Sequence, residues 1–152
     1  MSISDTISKF LTNRDGAAGV EFALMLPTMV LFVIGIVDVG ALTYEQTQVS
    51  AAAHAGAQYA IRNGSSASLT SIASAVTGAT PFTVQATPAP QQVKACVSGS
   101  SLVVTTGTTC AGGGTPGTYI QVNAQATYTP LITFGALTMP TALSAQAMVR
   151  TQ

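Results

Sequence analysis

Glu21 is the residue whose chemistry most needs an explanation. It is the one carboxylate at the entrance of an apolar run that extends from Gly16 to Leu42. An ionised carboxylate at bilayer depth costs about 3 kcal/mol or more, so an acid in that position needs either a partner or a task. Other reactive side chains are few. The five acidic residues (Asp5, Asp15, Glu21, Asp38 and Glu45) all lie in the N-terminal part of the chain, and no Asp or Glu follows Glu45. Beyond that point, paired carboxylates for glycoside hydrolysis, an oxygen cage for a hard cation and a Ser-His-Asp triad cannot be assembled. The single histidine, His54, lies among Ala51, Ala52, Ala53, Ala55, Gly56 and Ala57. That setting fits a structural or solvated imidazole better than a base or a ligand. Arg62, Lys94 and Arg150 are scattered and form no basic patch, so no nucleic-acid partner is expected. Nor is any cofactor, metal or small-molecule substrate expected, and the chain does not read as an enzyme.

The elements that position Glu21 begin with the apolar run itself. Phe22 to Val37 contains no charge, and continuing to Leu42 with only Asp38 intervening gives about 21 residues, or roughly 32 Å of helix. This length spans a hydrocarbon core and exceeds the apolar region of a cleavable secretory signal. Pro27 is tolerated in such a helix and predicts a kink. Lys9 and Arg14 precede the run, and no Lys or Arg follows until Arg62, which places the N-terminus in the cytoplasm and the C-terminal part outside. Residues 1–16 read as a cytoplasmic leader, with Ile3, Ile7, Phe10 and Leu11 at helical spacing.

The helix should continue past the membrane over residues 43–64, a stretch free of proline, and end at Asn63-Gly64 with a left-handed cap. Val49, Ala52, Ala53, Gly56, Ala60 and Ile61 form a stripe of mostly small residues along it. The stripe suits either the chain's own sheet or a neighbouring subunit. Residues 65–152 read as a small extracytoplasmic α+β domain. Leu69, Ile72, Ala73 and Val76 predict a short helix opened by Ser66 or Ser68 and closed by Gly78. The period then changes to two. Strands are predicted around Phe82–Ala86, Val93–Val97, Leu102–Thr106, Tyr119–Tyr128 and Thr141–Val149, with Leu102–Thr106 pairing back across Ser98-Gly99-Ser100-Ser101. Cys96 and Cys110 are an even pair in an exported domain. A disulfide closing that loop of about 15 residues would contribute roughly 3 kcal/mol.

Arg14-Asp15-Gly16-Ala17-Ala18-Gly19-Val20-Glu21-Phe22-Ala23-Leu24 followed by Pro27, and then Gly35, Asp38 and Gly40, resembles the start of TadE-like proteins. These are pilin-like components of tight-adherence (Tad) pilus systems. The resemblance covers roughly residues 14–60. It implies cleavage after Gly16 by a prepilin peptidase, with Ala17 as the new N-terminus and Glu21 at its fifth position. In related pilins that glutamate pairs with the free amine of a neighbouring subunit, so that two charges entering a low-dielectric bundle neutralise each other and set the axial register. The simpler alternative is a Glu21 that snorkels to the headgroups from the helix end. Asp38 is expected to lie at the outer interface.

The resemblance further implies a long N-terminal pilin-like transmembrane helix, residues 17–42, followed by the small antiparallel β-sheet domain with its one short extra helix. The size of that domain points to a minor or initiating pilin rather than the short major one. Expected partners are other pilin-like subunits, the peptidase, an inner-membrane assembly platform and membrane lipid. The competing reading is a permanently anchored binding module or adhesin that never enters a filament.

Overall fold

The computed structural model describes residues 16–131 and 139–151. Residues 1–15, including Lys9, Arg14 and Asp15 and most of the expected leader 1–16, lie outside the described residues. Two compact units are present, Met1–Val39 and Gly40–Gln152.

One continuous helix, α1 (Ala17–Asn63), contributes to both units. Its first part is apolar on every side, with Val20, Phe22, Leu24, Met25, Phe32 and Ile36 each more than half exposed. A helix apolar all round belongs in lipid or in the interior of an assembly. Its length and mean hydropathy of 2.3 suffice for one membrane span. Pro27 is accommodated inside the helix. Asn63-Gly64 ends it as the sequence predicts, with Gly64 in the left-handed region at φ 51°, and a 3-10 turn over Gly64–Ser66 follows.

Within the second unit, the Gly40–Asn63 part of α1 is amphipathic in an unusual way, because its buried stripe is built from small residues. Val49, Ala52, Ala53, Ala57 and Ala60 are buried in the core with Ile72, Val76, Ile120, Val122, Ala124, Leu143, Ala147 and Val149. Small side chains let the helix backbone approach the neighbouring elements closely, and Gly56 sits at the point of closest approach. Ile61, assigned to this stripe from spacing, is instead 62% exposed, while Ala57 takes part in the core.

Helix α2 (Leu69–Thr77) opens at Ser68, whose side chain accepts from the Ser71 N–H at 3.1 Å, and closes at Gly78. It buries Ile72 and Val76. The sheet comprises β1 (Gln91–Ser98), β2 (Ser101–Val104), β3 (Gly117–Thr127) and β4 (Ala142–Arg150), in the order β2-β1-β3-β4 with antiparallel neighbours throughout. The fold is therefore α+β, with a four-stranded antiparallel sheet and one short extra helix. β1 and β2 pair across Ser98-Gly99-Ser100-Ser101, with Gly99 at φ 62° supplying the reversal.

Phe82–Ala86 differs from expectation. It forms no strand, and only Gln85 bridges Gln125 by reciprocal 2.8 Å hydrogen bonds. The Gln85–Gln125 and Gln91–Gln121 pairings leave two extra residues on the incoming chain, so the Thr87-Pro88-Ala89-Pro90 stretch cannot stay in ladder register. Its proline rings also offer no N–H to a ladder. Asn123, placed by alternation on the polar face of β3, is only 8% exposed and donates from Nδ2 to the Pro88 carbonyl at 3.3 Å. The second face of the sheet is thus partly covered rather than simply solvated.

Candidate functional site

Gly16 and Ala17 stand at the start of α1, where the Gly16 carbonyl accepts the Val20 N–H at 3.2 Å. A Cβ placed on Gly16 would meet nothing within 4 Å, and the same holds for Gly19, Gly35 and Gly40. Packing among the described residues therefore gives no reason for glycine at these positions. Gly19, Gly35 and Gly40 are nevertheless helical, and each costs about 1 kcal/mol of helix propensity relative to alanine.

Glu21 lies one turn into α1 with its side chain exposed, among Val20, Phe22, Leu24 and Met25, which are exposed as well. The structure thus brings Gly16, Ala17 and Glu21 together on the first turns of one helix. It leaves a carboxylate ringed by uncovered apolar side chains. Water can solvate that carboxylate; a membrane or a helix bundle would demand a counter-charge.

Asp38, expected at the outer interface, is not a solvated side chain. It is fully buried within the protein and engaged in interaction there, in contrast to the exposed Ile36, Val37 and Val39 beside it. Spacing alone gave no sign of this, since the flanking residues repeat the same apolar types on every side of the helix.

Cys96 and Cys110 are joined, with Cα atoms 5.7 Å apart and a sequence separation of 14. The bond ties the chain after β2 back onto β1. A cleft of about 300 Å³ beside it is lined by Cys96, Cys110, Gly117, Tyr119 and Arg150 among others. His54 is exposed on the helix face away from the core. Among the described residues no group of three or more His, Cys, Asp or Glu side chains is placed to hold a metal ion.

No curated protein and no solved structure matches this chain. The helix that carries Gly16, Ala17 and Glu21 is the part that does find a relative: residues 16–58 match the family model described as TadE-like protein, the family that the N-terminal motif resembles.

Proposed function

We propose that this protein is a minor pilin-like subunit of a Tad-type pilus, with a structural role in pilus assembly or initiation and hence in adhesion. The observation that carries the reading is the coincidence of three features in residues 16–58: the family match, the exposed apolar helix, and Glu21 one turn beyond Gly16. In this reading the chain is made as a single-pass inner-membrane protein with a cytoplasmic N-terminus and a periplasmic C-terminal unit. A prepilin peptidase removes residues 1–16, and the new Ala17 amine of one subunit meets Glu21 of another. Burying the two together offsets the desolvation that either would suffer alone. The unexplained helical glycines fit the same picture, since small residues let helices pack closely in lipid or in a bundle. Partners are then other pilin-like subunits, the peptidase, the assembly platform and membrane lipid. The protein has no catalytic task of its own.

The test is an intact-mass measurement on chain extracted from cells that assemble the pilus. A mass beginning at Ala17 is expected. Retention of residues 1–16 in functioning cells would overturn the pilin reading and favour a permanently anchored extracytoplasmic binding module.

A further inference from the structure

Arg62, Lys94 and Arg150, far apart in sequence, are gathered at one end of the unit Gly40–Gln152. Lys94 on β1 stands opposite Thr118 of β3, and Arg150 on β4 stands opposite the next residue, Tyr119. With strands about 4.8 Å apart, these two cations flank the start of β3 at a backbone distance of roughly 10 Å. Gly64, two residues beyond Arg62, lines a cleft of about 280 Å³ together with Gln92, Thr118, Ile120 and Thr151. Lys94 shares the Gln92 face of β1 and so stands beside that cleft. Arg150 precedes Thr151 and lines the second cleft, next to the disulfide, with Gly117 and Tyr119. A Cβ on Gly117 would lie 3.5 Å from both Arg150 Nε and the Tyr119 hydroxyl, so this glycine lets two donors converge over the sheet.

The one acidic side chain of the unit lies at the other end. Glu45 precedes Gln46, whose Nε2 donates to the Ser144 carbonyl at 3.1 Å, near the start of the strand that Arg150 ends. Ser144 and Arg150 are roughly 20 Å apart along that strand, beyond the ~8 Å over which exposed charges act at physiological salt. Three cations also outnumber the single carboxylate that a chain end at Gln152 adds. Arg150 takes part in an interaction within the chain, and its guanidinium has five N–H donors to divide.

We propose that this end binds an acidic polysaccharide, with Arg62, Lys94 and Arg150 taking its carboxylates and the two clefts its hydroxyl-bearing rings. Cations on both faces of one strand end suit a polymer that crosses the end, whereas a small anion meets one of them at a time. The cleft walls offer the hydroxyls of Thr115, Thr118 and Thr151 and the amide of Gln92 as partners for sugar hydroxyls. A single-stranded nucleic acid would need exposed rings on which its bases stack, and the one aromatic residue lining either cleft, Tyr119, is only 7% exposed. A filament subunit and a permanently anchored module would present this end alike; only the extracytoplasmic placement proposed above is required.

The experiment uses the full chain extracted in detergent and immobilised polygalacturonate. Retention is expected to fall steeply as salt rises from about 0.05 M to about 0.5 M, with none on uncharged dextran. Arg62 and Lys94 are both exposed, so Arg62→Gln with Lys94→Gln should keep the thermal midpoint while weakening polygalacturonate binding about ten-fold. Arg62→Lys with Lys94→Arg should bind as the parent does. Unaltered binding by the double glutamine variant, or equal retention on dextran, overturns the site. Tighter binding of single-stranded DNA than of polygalacturonate overturns the ligand class. Protease added outside spheroplasts reports placement separately: a protected C-terminal unit overturns the extracytoplasmic reading, and this ligand with it, whatever the purified chain binds.

Discussion

Gly56 and Val76 stand so close that a Cβ on Gly56 would lie 2.5 Å from Val76 Cγ2, with Val122 Cγ1 at 2.9 Å on the other side. The absent side chain is what lets α1 lie against α2 and β3 at once. Gly56→Ala gains about 1 kcal/mol of helix propensity but must displace two branched side chains that are themselves fully buried, at a cost of about 1–3 kcal/mol. Net destabilisation is expected, read as a lower thermal midpoint of the detergent-extracted chain. Gly40→Ala, where a Cβ meets nothing, should leave that midpoint unchanged or raise it; equal losses from the two variants would contradict the packing argument.

Among the described residues Ile72 is the largest fully buried side chain, and it is held by a nine-residue helix that packs onto α1 and β3. Ile72→Ala should cost about 2–5 kcal/mol, the range for deleting a large aliphatic group from a closed core. The check is equilibrium unfolding beside Leu69→Ala, whose partly exposed side chain should cost far less.

The disulfide between Cys96 and Cys110 closes a loop that contains the β1–β2 turn, with Gly99, and the Thr105–Thr109 stretch, with Gly107. By loop entropy its removal should cost roughly 3 kcal/mol. Cys96→Ser with Cys110→Ser should lower the unfolding midpoint and make the loop protease-sensitive, while thiol labelling of the native chain should find no reactive cysteine. The β1-β3-β4 ladders do not depend on the bond, so the double variant is expected to keep its sheet.

Acid should have little leverage on the unit Gly40–Gln152. A carboxylate with a depressed native pKa lends stability that is lost as pH falls through that pKa, and residues 46–152 contain no Asp or Glu side chain to behave this way. The unfolding midpoint of that unit should therefore change little between about pH 7 and pH 4. A steep loss of stability over that interval would show that Glu45, the chain terminus or the buried Asp38 carries far more of the fold than the acid-free stretch 46–152 does.

The parts of this molecule that were legible in the sequence are those governed by local pattern. The uncharged run after Glu21, the Asn63-Gly64 stop, the Ser68 and Gly78 caps and the alternation of Ile120, Val122 and Ala124 each follow from short-range chemistry, and each element appears where that chemistry puts it. Long-range geometry was not legible. The alternation of Phe82, Val84 and Ala86 promised a strand, but ladder pairing depends on register with β3, which the Thr87–Pro90 excursion breaks. Asn123 reads as a solvated strand residue until the Pro88 carbonyl arrives over it. Asp38 reads as a boundary acid, and its burial depends on contacts that no periodicity announces.

Glu21 offers the sharpest test of assembly because its proposed role is separable from folding. Its side chain is exposed, it belongs to the unit Met1–Val39, and it is not one of the core residues of the other unit. Glu21→Ala should therefore leave expression, membrane insertion and removal of residues 1–16 largely intact, since none of these needs a counter-charge at that position. Incorporation into filaments should fail, because a subunit amine entering the helix bundle would then be buried without its partner, a loss of about 3–5 kcal/mol for a broken buried pair. Glu21→Gln separates the two candidate roles. Mere boundary placement needs only a polar group and tolerates glutamine, whereas charge pairing needs the carboxylate and does not. Sheared filaments probed for the subunit read the outcome directly, and normal incorporation of Glu21→Gln would leave snorkelling as the role of Glu21.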